Sequence, residues 1–301
     1  MNDAVPTNAL GPDRDLSAGL AVEEVADRVF VLTDGDAQAL FVDTGDGVVV
    51  VDTPWAQEQH AAIRRVTSAP ITHLIYSHSH YDHIGGAHEL AAKEVVGQTC
   101  TADLLRRYAD PRRPAPTITF DQDLVLDRGE HRIELPYHGP NHQDGNIFVH
   151  LPRQHVLMLV DVIVPGWVPF HALGGATDVR GYLDAHDTTL DYDFEILVAG
   201  HLTRFGTAED VRTQRDYITD VKDTCTRARE TVSAASIASR TGTADRWQFA
   251  STYFNELARQ AAAEVEPRWR DRLGGVEAFT HSHCLSMTIA LAHGWGIEPA
   301  T

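Results

Sequence analysis

The stretch LIYSHSHYDHIGG, residues 74–86, decides how this chain is read. It gathers His78, His80, Asp82 and His83 directly after an apolar run. Imidazoles and carboxylates are costly to bury without partners and make poor core material. They stand instead where the predicted strand THLIY ends, on a loop that a rigid scaffold can hold in place. His78 and His80 are two positions apart, so at a strand's end they can point the same way. Asp82 and His83 are adjacent and must diverge. That geometry suits two metal ions side by side, one held by His78 and His80, the other by Asp82 and His83. The following Ile84-Gly85-Gly86 lets the chain turn closely past them. Coincidence is a weak rival even in a chain with 17 histidines, since this pattern arises by chance roughly a few times per thousand.

Upstream, RVFVLT (28–33), QALFVDT (38–44) and GVVVVDT (47–53) are β-branched runs separated by turn residues, a meander of hairpins. WAQEQHAAIRRVTS (55–68) has helical composition and ITHLIYS (71–77) reads as a buried strand. Short helices are expected around 86–92 and 101–108, with strands near 94–97 and 117–120. Strands then dominate at 124–127, 130–137, 146–151 and 155–160. A helix over 178–191, a strand over 195–200 and a long helix from about Thr207 complete the pattern. The order predicts two similar halves, each a sheet flanked by helices, stacked sheet on sheet with helices outside. Beyond about 225 the chain turns helical and Ala-rich. The expected organisation is a flexible segment over 1–19, a main domain over 20–224, and a C-terminal helical extension over 225–301. That extension is a candidate lid or homodimer surface.

At 301 residues and 43% hydrophobic content, burial of a sizeable core is assured. The net charge of −18 is spread along the chain and repels phosphate backbones and anionic lipid. The basic run PRRP (111–114) is too short to reverse this, so neither nucleic acid nor a membrane is an expected partner. The polar start lacks an export signal, and no run approaches a membrane span. Cys100, Cys225 and Cys284 are widely separated, as suits reduced thiols. A soluble cytoplasmic protein acting on a small molecule is the expectation.

Four further stretches bear on the metal reading. VVVVDTP carries Asp52 at the end of a strand; YHGPNHQDGNIFVHLP (137–152) carries His142; VLMLVDVIV (156–164) carries Asp161; ILVAGHLTRFG (196–206) carries His201. Each alone could be a turn histidine or a strand-end cap. In this order, after a complete SHSHYDHIGG, they resemble the sequence motifs of the metallo-β-lactamase superfamily over about residues 20–222. The resemblance implies an α/β fold, the four-layer αββα sandwich, with the C-terminal helical segment appended. It implies that His78, His80 and His142 hold one metal, that Asp82, His83 and His201 hold the other, and that Asp161 bridges them. Asp52 is expected to brace the metal loop. One departure stands out: many relatives place an aspartate three residues after the third-motif histidine, where this chain has Gly145, flanked by Asp144 and Asn146.

Mixed imidazole and carboxylate ligation suits two Zn²⁺ and also admits Mn²⁺ or Fe²⁺. Such a pair, about 3.5–4 Å apart, brings the pKa of shared water to about 7. Hydroxide is then available to attack a carbonyl, with Asp82 orienting it or passing its proton onward. The implied activity is hydrolysis of an ester, thioester, lactone or amide, closer in pattern to glyoxalase II and lactonase relatives than to true β-lactamases. The rival reading is a persulfide dioxygenase with a single Fe²⁺; a binding module that has lost catalysis is a third. VIVPGWVPFHALGGA (162–176) follows the bridging residue, and its Trp167, Phe170 and His171 are candidates for an apolar substrate wall. Tyr81 and Trp55 could reach substrate or pack in the core. FTHSHCLSM (279–287) superficially offers His281, His283 and Cys284 to a metal, but it lies outside the matched region and is read as structural or pocket-edge.

Overall fold

The computed structural model describes residues 5–242 and 244–294. The β-branched runs fold as the expected meander, with one more strand at its start: β1 (Ala21–Ala26), β2 (Val29–Thr33), β3 (Gln38–Asp43) and β4 (Val48–Val51) pair antiparallel in sequence order. Helix α1 (Ala56–Val66) leads to β5 (Ile71–Ile75). The single turn α2 (Tyr81–Ile84) follows, and β6 (Glu94–Gln98), α3 (Thr99–Tyr108) and β7 (Ile118–Phe120) complete the first half. Strands β4 to β7 pair in parallel, giving a seven-stranded sheet. The helix expected over 86–92 does not form; turns follow α2 instead. Its Gly85-Gly86 start explains why, since glycine is unfavourable in a helix interior.

The second sheet is built from β8 (Asp123–Arg128), β9 (His131–Pro136), β10 (Val149–Leu151), β11 (Val156–Met158) and β12 (Ile196–Val198). Its strands are antiparallel except for the parallel pair β11 and β12. Between those two run α4 (His171–Gly175), a left-handed turn at Ala172 to Gly174, and α5 (Val179–Leu190).

Strand periodicity explains the layering. In β3 and β4, Leu40, Val42, Val49 and Val51 pack with Ile133, Val149 and Met158 of the second sheet. Their neighbours Phe41, Val48 and Val50 point the other way, against Ala62 and Ile63 of α1. The same alternation turns Leu157 and Leu197 outward onto α5 and α6 (Ala208–Thr231). Thr207 caps α6 through a reciprocal pair of bonds with Asp210, where the sequence places the helix start.

The last helices, α7 (Ala234–Thr241), α8 (Arg246–Trp269) and α9 (Val276–Ala292), stack on α6 and extend the same buried cluster through Leu257, Ala261 and Met287. α6 runs unbroken across residue 225. Cys225 and Cys284, distant in sequence, meet there: the Cys225 thiol lies 3.6 Å from the Cys284 carbonyl oxygen. Tyr253 and Phe254 pack onto this cluster, whereas Trp247 remains 86% exposed. No helix among the described residues is long and apolar enough to cross a membrane.

The sequence reading expects a flexible 1–19; its described part is instead tied down. Asn8 donates to the Arg272 carbonyl at 3.0 Å, Arg14 pairs with Glu23 and donates to the Thr203 carbonyl, and Ala9 is buried. Polar, Pro- and Gly-broken composition hides this, because the contacts are made largely to backbone atoms elsewhere.

Candidate metal centre

Five chain segments, each just beyond a strand, deliver the motif residues to one place. Asp52 follows β4, residues 77–83 follow β5, His142 lies between β9 and β10, Asp161 follows β11 and His201 follows β12. Asp161 is the hub. Its Oδ2 lies 3.2 Å from His83 Nε2, 3.2 Å from His142 Nε2 and 3.5 Å from His78 Nε2; its Oδ1 lies 3.1 Å from His201 Nε2. His80 Nδ1 and His142 Nε2 are 3.0 Å apart. Asp82 Oδ2 stands 3.7 Å from both His83 Nε2 and His201 Nε2. Two groups result, His78, His80, His142 with Asp161, and Asp82, His83, His201.

These side chains fit divalent cations. Tetrahedral ligation with bonds of about 2.0–2.1 Å puts neighbouring ligand atoms about 3.3 Å apart, close to the spacings above. His78 Nε2, His83 Nε2 and Asp161 Oδ1 are buried without a hydrogen-bond partner, and buried polar groups are ordinarily satisfied. Burial pushes the His78 and His80 imidazoles down, keeping lone pairs free. Burial would raise Asp161, but the facing imidazoles of His83, His142 and His201 hold it well below the usual carboxylate range. Burial likewise opposes a charge on His83, yet Asp161, Asp52 and Asp82 together raise it to about 9. A cation held here would displace that proton and answer the same negative field.

The supports are mostly backbone and amide groups. Asp52, fully buried and in a left-handed conformation, accepts from Ser77 N at 2.8 Å, and its other oxygen faces His83 Nδ1 at 3.8 Å. Burial pushes its carboxyl up to about 6. Asp161, also left-handed, is followed by Val162, whose carbonyl accepts from Tyr182 and Gln214 at 2.7 and 2.6 Å. His201 Nδ1 donates to the Asp36 carbonyl, turning Nε2 towards Asp161. Around His142, Gln143 accepts from both Ser79 N and Oγ, and Asn141 and Asn146 bond each other. Gln143, Asn146 and Gln214 are the positioning residues that sequence reasoning missed. The amides in NHQDGN were the one available signal.

Above the cluster opens a cavity of about 680 Å³. Trp167, Phe170 and His171 line it, together with His80, Asp82, His142, Asp161 and His201. Phe279 of α9 joins them. Tyr81 does not; it lies half exposed with the Arg112 guanidinium 4.5 Å above its ring, because the turn α2 that buries His83 sends residue 81 outward. Trp55 packs beside the first sheet and donates to Asp34. His283 does not face a metal either: its Nε2 donates to the Phe170 carbonyl at 3.0 Å and its Nδ1 accepts from the Tyr217 hydroxyl at 2.8 Å.

The stacked sheets with a histidine–aspartate cluster at their strand ends are the architecture of a metallo-hydrolase-like fold. The family model described as the metallo-beta-lactamase superfamily matches residues 32–201, and the chain belongs to that superfamily. The alpha subunit of 2,4-dinitroanisole O-demethylase from Nocardioides sp. (strain JS1661) is 27% identical over 66% of this chain and 62% of its own length. A type 2 metallo-beta-lactamase from Elizabethkingia meningoseptica is 26% identical over 50% of this chain and 64% of its own. The match thus spans under two thirds of each of these relatives. A metallo-beta-lactamase from Pontibacter korlensis shares the fold, with a TM-score of 0.56 and 20% identity over 65% of this chain and 99% of its own.

Proposed function

We propose that this protein is a hydrolase that activates water between two divalent cations, zinc first among them, and cleaves an ester, thioester, lactone or amide of a small molecule. The observation that carries the reading is the placement of Asp161, one oxygen within 3.5 Å of His78, His142 and His83 and the other 3.1 Å from His201, within reach of both ligand groups. His78, His80 and His142 would hold one ion, and Asp82, His83 and His201 the other, with Asp161 shared. Such a pair supplies Lewis acidity and water whose pKa is lowered to about 7.

The chain's own residues do the rest. Asp82 has its side chain 60% exposed at the cavity floor and can accept a proton from the attacking water and pass it to solvent. The Asp52–Ser77 bond fixes the loop that presents His78, and His201 is fixed through Asp36. Trp167 and Val168 line the cavity and would limit the access of bulk water to a carbonyl bound there. A second reading, supported by the O-demethylase relative and by the aromatic cavity wall, has the same activated water cleave an aryl methyl ether.

Elemental analysis of the purified protein, paired with hydrolysis of nitrocefin, a thioester, an acyl-lactone, an aryl ester and an aryl methyl ether, tests both. About two metal equivalents with turnover of a carbonyl substrate is the expected result. A single iron with oxygen uptake on a persulfide would overturn it in favour of a dioxygenase.

A further inference from the structure

The cavity's far wall comes from two segments. Trp167 and Phe170 belong to the loop after Asp161, whereas Phe279 belongs to α9, outside the region that matches the superfamily. The Phe170 and Phe279 rings have centroids 5.2 Å apart at an interplanar angle of 60°, within the range where aromatic pairs attract. Phe170 is nevertheless 69% exposed. The backbone of this loop is held from α9: His283 donates to the Phe170 carbonyl and Ala172 N donates to Ser282 Oγ, each at 3.0 Å. Trp167 places its one polar atom elsewhere, donating to the Ala9 carbonyl at 2.8 Å. Gly274 presses on the indole so closely that a Cβ would lie 2.5 Å from the ring. The Trp167 ring is therefore fixed by a bond that points away from the cavity, Phe170 is held through its backbone, and Phe279 meets it ring to ring, so these three side chains present carbon surface.

Charge narrows the ligand further. Among the residues lining the cavity there is no lysine or arginine, while Asp36, Asp82 and Asp161 are present. At the aromatic wall itself a carboxylate or phosphate would lose its water and find no lysine or arginine to answer it.

We infer that the site takes an uncharged substrate bearing an aromatic ring, received between Phe170, Phe279 and Trp167, and that Phe279 is a specificity-determining residue contributed by the C-terminal helices. This deepens the hydrolase reading and relies on it only for the reacting end of the substrate. The ring's binding is separable from turnover.

Calorimetric titration with acetanilide and with 4-acetamidobenzoate, on both metal-stripped and metal-loaded protein, provides the test. Acetanilide is expected to bind both forms, and on the metal-stripped form the carboxylated analogue at least about tenfold more weakly. Phe279→Ala should weaken acetanilide about three- to tenfold. Phe279→Leu, which keeps a bulky apolar side chain at this position of α9, should weaken it comparably while leaving the melting temperature near wild type. Equal binding of the two compounds to the metal-stripped form, or unchanged binding in Phe279→Leu, overturns the inference. Ring binding that responds to Phe279 without turnover of any carbonyl substrate sinks the hydrolase reading and supports this one. Turnover of aliphatic thioesters with no preference for rings does the reverse.

Discussion

His283 Nε2 donates to the carbonyl oxygen of Phe170 at 3.0 Å, joining α9 to the loop that overhangs the candidate metal centre. The imidazole is locked from its other side by the Tyr217 hydroxyl at 2.8 Å, and that oxygen also contacts Thr280 Oγ1 at 2.9 Å. What the sequence offers as a metal-like H-x-H-C is a buried strut between the last helix and the cavity wall.

Removing the strut takes the His283 donor from the Phe170 carbonyl and leaves the Tyr217 hydroxyl with Thr280 alone, at a cost of about 1–3 kcal/mol. His283→Ala should therefore lower the urea midpoint clearly and raise KM for ring-bearing substrates through a loosened Phe170, with metal content unchanged. Loss of metal in this variant would mean that the histidine serves the ligand cluster after all.

Acid should destabilise the fold through His283 and His186. Burial pushes both imidazoles down to about 4, against about 6.5 in an unfolded chain. Between those values the unfolded chain binds more protons, so their contribution is complete above about pH 6.5 and is lost as pH falls towards 4. Each difference is worth on the order of 3 kcal/mol. His186 is neutral by construction, donating from Nδ1 to the Tyr182 carbonyl and accepting at Nε2 from Gln214. Urea midpoints between pH 7.5 and 5 should slope less in His186→Gln than in wild type; parallel slopes would refute the assignment.

How much of this was legible in the sequence depended on whether a feature was local. His78, His80, Asp82 and His83 share one short loop, and a strand's end forces their geometry. The other three cluster residues and Asp52 were found through the ordered resemblance to the superfamily's motifs; Asp52, Asp161 and His201 also stand just after apolar strands, whereas His142 lies in a turn. The layering followed from period-two alternation in runs such as VVVV. Phe279 at the cavity was not legible: a helical aromatic looks alike whether it faces α6 or a ligand. The docking of residues 5–19 escaped for a similar reason, since backbone carbonyls of Ala9 and Arg272 make the contacts and carry no sequence signature. Tyr81 misled because the turn that seats His83 rotates its neighbour outward.

Asp52→Asn should separate bracing from folding. The amide oxygen can still accept from Ser77 N, but the charge facing His83 Nδ1 at 3.8 Å is gone. Replacing such an outer carboxylate weakens metal affinity by about 10–100-fold, whereas the melt of the metal-stripped protein should hold or rise, because a fully buried carboxylate is costly to ionise. Competition against a chromophoric chelator reads the affinity. An unchanged affinity would remove Asp52 from the metal centre's support.

Gly145→Asp restores the aspartate that many relatives carry three residues after the third-motif histidine, and it should harm this protein. Gly145 has φ +83°, and a Cβ there would lie 2.4 Å from Thr101 Oγ1 and 2.6 Å from Thr101 N. Thr101 is fully buried in the first turn of α3 and its hydroxyl donates to the Gly145 carbonyl, so it has no room to withdraw. The loop has closed onto the helix where relatives place a carboxylate, and it is braced instead by Asn141, Gln143 and Asn146. His142 Nδ1 is left buried without a partner. Left-handed strain alone costs about 1–3 kcal/mol, and the displaced loop carries His142 with it. The variant should therefore melt lower and bind less metal, while Asp144→Asn at the exposed neighbouring position stays within about 0.5 kcal/mol of wild type. A Gly145→Asp protein as stable as wild type and holding metal more tightly would show that the loop opens readily and that the close approach to Thr101 does not fix the position of His142.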